Sequence, residues 1–434
     1  MLSTKDRDTI RRLAGEVAQI AALPVQEQKR RMWRQLNGRR PVRPMVMIDQ
    51  VCWNEMNVDD ELTLRCEDRE CRTYEEQLRK ILCQWRHFRV DMVVEPFIRV
   101  HKAVRNSGFG VSVKHDIAVS DPTNSVVGQA YFNQFETDAD LDKIKMPVIG
   151  HDTAETARRL EVAHGLFDGT LDIFEQGVDP YLSVWDPIST WMNVQSVLFA
   201  LVDRPEYMRE MAQRMVRGYL SMLDQLEAQG LLCHHQSLIH CTGAYTDELP
   251  APGFDPARPR TKDIWMFGLA QMFSTVSPAM FEEFEIDMCM PIFKRFGLVY
   301  YGCCDPMDLK MAQVRKIPNV RKISMSPWVN EEIGATEIKG DYVYSRKPNP
   351  ALLAWPEFNA GEVRTHLQAT VDVCARHGCP LELILKDIST VGYQPQRLWQ
   401  WADIAMDVVG ATDYVFPATD AREKRRVAQS RPQW

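Results

Sequence analysis

Two adjacent cysteines and an aspartate follow an apolar run in LVYYGCCDP, residues 298–306. A thiolate is a soft nucleophile and a metal ligand, and a carboxylate beside it can hold a proton or a cation. The same pattern, an apolar run that closes on a reactive group, recurs along the chain. SLIH closes on His240, next to Cys241, and LELILKD closes on Lys386 and Asp387. RPMVMID closes on Asp49, with Trp53 and Glu55 just beyond. VVEPF holds Glu95 in apolar surroundings, ahead of His101. VRKISMS carries Ser324 and Ser326, and Arg346, Lys347 and Asn349 follow DYVYS.

The residue types leave several chemistries open. Cys303 and Cys304 are two buried small hydrophobes, or one is a zinc thiolate, or one is a nucleophile with His240 as its base. Consecutive side chains on a strand point to opposite faces, so at most one of the two is expected to face a site. His240 is a ligand, a base or a packed histidine. Glu95 in an apolar setting has its pKa raised by desolvation unless paired, which suits a proton carrier, a metal ligand or a buried ion pair. Asp387 is a ligand, a general base or the cap of a turn.

These groups need elements to hold them. STKDRDTIRRLAGEVAQIAAL and PVQEQKRRMWRQLNG read as two helices, the second opened by Pro24 and stopped by Gly38. From RPMVMID onward, apolar runs alternate with helical patterns: TYEEQLRKILCQWRH before DMVVEPFIRV, the long RPEYMREMAQRMVRGYLSMLDQLEAQG before SLIHCTG, and GEVRTHLQATVDVCARHG before LELILKD. GVSVKHDIAV and SVVGQAYF read as an antiparallel insertion. Such alternation predicts parallel βα units, and about eight strands predict a (β/α)8 TIM barrel with its chemistry at the strands' carboxyl ends. A doubly wound sheet is the second choice, and no strand is followed by GxGxxG or a P-loop. The expected division is an N-terminal helical extension (1–40), the barrel (41–415) and a C-terminal tail (416–434). Trp53, Trp185, Trp265 and Trp328 fall in or near loops that could floor an aromatic pocket.

Of 434 residues, 45% are hydrophobic and 26% charged, with a net charge of -7. That balance lacks the basic footprint of a nucleic-acid binder. No run of about 18 apolar residues predicts a membrane span, and the charged N-terminus does not read as a signal peptide. Eleven cysteines without framework spacing predict reduced thiols and a cytoplasmic location. Cys66 and Cys71, in CEDREC, are expected on the surface.

SPAMFEEFEIDMCMPIFKRFGLVYYGCCDP, LNGRRPVRPMV and DRPEYMREMAQRM together resemble the uroporphyrinogen decarboxylase superfamily, closest to its corrinoid (cobalamin)-dependent methyltransferase branch. The likeness runs from about Trp33 to Ala411. It implies a (β/α)8 barrel, a homodimer, and methyl transfer between a small substrate, such as a methoxylated aromatic, and a partner corrinoid protein. In that branch zinc is held by a His-x-Cys pair after one strand and a cysteine after the last. Here those positions are Tyr301, Cys303 and the neighbourhood of Asp387, so the expected zinc ligands are Cys303 and His240. Glu95, His240 and Asp387 are the expected acid and base groups, with Trp53, Glu55, Tyr301 and Asn349 lining the substrate pocket. The decarboxylases' Arg-Gln-Ala-Gly-Arg motif follows their first strand. RQLNGR precedes the strand here, and DQVCWNEM after it has no arginine. The remaining alternative is a cofactor-free decarboxylase or lyase acting on a small carboxylate.

Overall fold

The computed structural model describes residues 3–411, so the expected tail at 416–434 lies outside them. Ser3 caps the first helix, Thr4–Ala21, its hydroxyl accepting the Asp6 amide at 3.0 Å. Pro24 opens the second, Pro24–Asn37, at a position where a missing N–H costs nothing.

Seven strands form one sheet: β1 (Met45–Ile48), β2 (Tyr181–Leu182), β3 (Trp265–Gly268), β4 (Leu298–Tyr301), β5 (Val320–Met325), β6 (Val343–Arg346) and β7 (Leu381–Leu385). Their order is β1-β7-β6-β5-β4-β3-β2, and every pairing is parallel. The first strand therefore lies beside the last. Among the described residues no ladder joins β1 to β2, so the structure shows an α/β fold with a seven-stranded parallel sheet and no hydrogen-bonded closure of a ring.

Two expected barrel strands are something else. DMVVEPFIRV splits at Pro96, which has no N–H to give a ladder and restricts the residue before it. The Asp91 amide bonds the Val46 carbonyl of β1 at 3.0 Å, whereas Phe97–His101 pairs in parallel with Asp172–Gln176 in a separate sheet. SLIHCTG is a tight antiparallel hairpin, Leu238–Ile239 against Thr242–Gly243, with His240 in its turn at φ 52°. The insertion is antiparallel as read, His115–Ala118 against Gly128–Tyr131. Cys66 and Cys71 are buried, because helix Arg69–His87 packs on the first helix and covers them.

Both faces of the sheet are covered, which is why its strands read as continuous apolar runs. Val46, Met266, Val299, Tyr301, Ile323 and Leu383 face one core, with most of the later helices. Met47, Phe267, Tyr300 and Ile384 face a second core that contains Trp33 of the second helix. Trp33 lies so close to Gly243 that a Cβ there would come within 2.5 Å of the indole. Against this second core lies a fully buried ion pair, Lys322 Nζ to Glu382 Oε2 at 2.7 Å. The Thr242 hydroxyl donates to the same oxygen at 2.8 Å, and Lys322 also donates to Thr242 Oγ1 and the Gly243 carbonyl, each at 3.0 Å.

A buried pair is fragile when halved, because one charge is left without a partner. Lys322→Met is expected to lose roughly 3–5 kcal/mol in urea unfolding, and Lys322→Met with Glu382→Leu to recover most of it. Equal losses in the single and double variants would show that the pair is not the source of the effect.

Candidate functional site

The sheet's carboxyl edge gathers a cluster around Cys303. The chain leaves β4 at Gly302, whose φ of 89° is open to glycine and which donates to the Gly268 carbonyl at 2.8 Å. That turn ends the strand's alternation. Both cysteines, expected to part to opposite faces, therefore sit together with their sulfurs 3.6 Å apart, Cys303 buried and Cys304 exposed. Lys386 lies one residue past β7, on the same face as Glu382 and Ile384 by the two-residue alternation. Its Nζ is 3.1 Å from Cys303 Sγ, 3.2 Å from His240 Nε2 and 3.1 Å from Asp387 Oδ2. The hairpin turn presents His240 to Cys303 Sγ at 3.8 Å, and its ring stacks on Phe267 of β3 at 4.0 Å and 9°. Cys304 Sγ donates to Asp387 Oδ2 at 3.6 Å.

The hydrogen bond from Cys304, joined by His240 and the Lys386 charge, outweighs burial and holds the Cys303 thiol well below its ordinary value. The same hydrogen bond, with burial, drives the Cys304 thiol far up, so one thiolate is shared across the pair. Burial alone would lower Lys386, but the negative charge of Cys303 holds the ammonium above its ordinary value. Asp49, at the end of β1, has its carboxyl raised by burial and feels both His240 and Lys386. Asp186 is also raised by burial and accepts the Tyr181 hydroxyl at 3.1 Å. Asp305 is fully buried and raised for the same reason; one oxygen accepts the Cys303 amide at 3.0 Å, and the other has no hydrogen-bond partner.

The two expected zinc donors, Cys303 Sγ and His240 Nε2, lie 3.8 Å apart. The Lys386 ammonium reaches both donors at hydrogen-bond distance, so the thiolate's counter-charge is a side chain. Among the described residues, the one trio of His, Cys, Asp or Glu donor atoms within 4.8 Å of one another lies elsewhere.

The structure brings His240, Cys303 and Asp387 together and sets the other anticipated residues apart. Glu95 precedes its strand and is held by Arg30 at 2.9 Å and by the Tyr245 hydroxyl at 2.6 Å, the ion-pair alternative among its three. Tyr301 faces the helices, opposite to Tyr300, and donates to Glu285 Oε1 at 3.0 Å. Glu55 accepts the Val391 and Tyr393 amides at 2.8 and 2.9 Å. Trp53 packs against Phe88, ring centroids 6.1 Å apart, and Asn349 caps its own turn by accepting the Ala351 amide at 3.0 Å. Lys386 and Asp49 carried a signal, since both stand where apolar runs stop. Tyr181 and Asp186 carried none, because β2 is only two residues long.

No protein-family model matches the chain, and neither does any curated protein. Among solved structures, a methyltransferase from Methanosarcina mazei superposes with a TM-score of 0.45 at 9% identity, over 87% of this chain and 97% of that one. At that score the likeness says nothing of this chain's chemistry.

A thiol held well below its ordinary value is a thiolate throughout the neutral range. Iodoacetamide is therefore expected to label Cys303, the less exposed cysteine, ahead of Cys304, at rates that differ little between about pH 5 and pH 8. Lys386→Met removes the counter-charge and should slow labelling at about pH 5 tenfold or more. Peptide mass spectrometry reads both sites; wild-type labelling of Cys303 that titrates near the ordinary value of about 8.5 would refute the assignment.

Proposed function

We propose that the chain is a methyltransferase that moves a methyl group between a small substrate, of the methoxylated aromatic kind, and a corrinoid protein, with acid rather than zinc activating the leaving group. The observation that carries this reading is the Lys386 ammonium, held by Cys303 Sγ and His240 Nε2 at the carboxyl edge of a parallel sheet. The family-like motifs support the same reading. So does the pairing of the first strand with the last, which is the adjacency a (β/α)8 ring requires.

Cleaving a methyl–oxygen bond leaves the electron pair on oxygen, and an oxygen so charged departs slowly unless a proton or a cation meets it. Lys386 supplies the cation, and Cys303 and His240 fix its direction. Asp49 and Asp186, whose carboxyls burial raises, are the candidate proton donors. A corrinoid carried by the partner would supply the nucleophile that takes the methyl group. Leu309, Trp328 and Tyr393, on the loops after β4, β5 and β7, are 68%, 72% and 61% exposed and give the same edge an apolar rim for a protein partner. Phe199 and Val202, 61% and 70% exposed on helix Val194–Asp203, favour a homodimer.

A second reading, a cofactor-free lyase for a small carboxylate, draws on the same ammonium, which would pair with the substrate's anionic group. The two readings separate in one experiment. Purified chain is mixed with a reduced corrinoid protein and a panel of methoxybenzoates, and methylation of the corrinoid is followed by absorbance. Methyl transfer is expected, with kcat/KM falling about 100- to 1000-fold in Lys386→Met and roughly tenfold or more in Asp49→Asn. Carbon dioxide release from a carboxylate panel without methyl transfer would decide for the lyase.

A further inference from the structure

Away from the Cys303 cluster, one side of helix Arg69–His87 faces a loop that carries a second set of donors. Cys83 and His87 are four residues apart, so they share one face of the helix. Glu61 stands opposite them, and a carboxylate oxygen, a ring nitrogen and the Cys83 sulfur all lie within 4.8 Å of one another. His87 Nε2 is already 3.0 Å from Glu61 Oε2. Tetrahedral zinc, with bonds of about 2.0–2.3 Å, sets its ligand atoms roughly 3.3–3.8 Å apart, so a small side-chain convergence closes the set.

His87 and Glu61 are aimed by their neighbours. The His87 ring lies flat on Trp399, centroids 4.3 Å apart and 11° between planes. Arg86 engages Glu61 Oε1 at 3.3 Å and leaves Oε2 toward the histidine. Arg79, on the same helix, donates to the Glu61 carbonyl at 2.8 Å, and Asn57 accepts the Leu62 amide at 2.9 Å, so the loop is latched before any ion arrives. His87 is also the last residue of a 19-residue helix, whose free carbonyls favour positive charge.

We infer that Glu61, Cys83 and His87 form a three-ligand site for a divalent cation of the zinc class, which clips the 53–63 loop to helix Arg69–His87. One thiolate, one imidazole and one carboxylate suit zinc or cobalt better than the hard cations calcium and magnesium, which take oxygen ligands. Glu61 and His87 are only half-buried, which leaves the fourth position to water. The clip reaches the Cys303 cluster indirectly. The same loop region holds Glu55, which accepts the Val391 and Tyr393 amides just after Asp387. An ion there steadies the segment that follows β7.

The test is a titration of chelator-treated, full-length chain with Co²⁺, read by the sulfur-to-cobalt charge-transfer band and by the intense visible bands of four-coordinate cobalt. About one ion per chain is expected, with the charge-transfer band lost in Cys83→Ser and affinity at least tenfold weaker in His87→Gln and Glu61→Gln. Cys303→Ser should leave the spectrum unchanged. A band that survives Cys83→Ser, or vanishes in Cys303→Ser, overturns the assignment. Because Cys83 is buried, near-ultraviolet circular dichroism checks that each variant is folded. Zinc-induced thermal stabilisation gives a second readout, expected in wild type and in Cys303→Ser but not in Glu61→Gln. Equal stabilisation in Glu61→Gln would also overturn the assignment. Neither readout depends on methyl transfer, so failure here leaves the Cys303 reading standing, and the reverse.

Discussion

A lysine ammonium 3.1 Å from a cysteine sulfur, at the end of a buried strand, sets the terms for everything around it. Neither charge survives in apolar surroundings alone, because each would shift its pKa and neutralise. Together they persist, provided that the strand ends are fixed in register. The ladders among β4, β5, β6 and β7 supply that register, and Gly302 turns the chain so that Cys303 meets Lys386. The imidazole of His240 completes the contact from a hairpin outside the sheet, held in place by stacking on Phe267.

The face of the sheet that carries the cluster is layered by charge. Deepest is Lys322 with Glu382, matched in charge although Glu382 Oε1 has no hydrogen-bond partner. Above it Lys347 donates to the hydroxyls of Tyr300 and Ser345, neutral acceptors that leave its charge without a carboxylate. At the edge Lys386 meets Cys303. The opposite face runs on different chemistry. There the π-helical segment Glu282–Asp287 turns Glu285 inward against Tyr301, and burial lifts its carboxyl to about 8, so that it stays mainly protonated at neutral pH. One strand, β4, thus separates a neutral acid behind it from an ion pair in front.

Much of this was legible in the sequence, and the reasons are specific. Apolar runs buried on both faces marked β1, β4, β5, β6 and β7, and the residues where they stop included Asp49, Cys303, Lys386 and Asp387. Other features were not legible. Pro96 broke a run that looked like one strand, and SLIHCTG proved to be a hairpin because His240 takes a left-handed backbone. Facing was harder still. Tyr301 and Tyr300 are equally apolar neighbours, and only strand parity sends one to the helices and the other to the cluster. The alternation rule also failed for Cys303 and Cys304, since it holds within a strand and Gly302 had already ended this one. Glu95 shows the remaining limit: a carboxylate in an apolar run looks reactive until its partners, Arg30 and Tyr245, come from segments far along the chain.

The layering bears on what the site prefers to bind. On the buried face, Lys322, Lys347 and Lys386 are cationic, while Glu382 and the Cys303 thiolate are the anions that answer them. Burial raises the Asp305 carboxyl. Asp387, 3.1 Å from Lys386, adds a further carboxylate at the edge. In the proposed reaction the Lys386 ammonium is the charge that meets the electron pair gathering on a leaving oxygen, an attraction stronger in a low-dielectric site than in water. On that proposal a neutral ether binds without drawing on this charge, and the departing alkoxide or phenoxide draws on it. The proposed preference therefore falls on the transition state rather than on the bound substrate, which is the condition under which binding energy becomes rate.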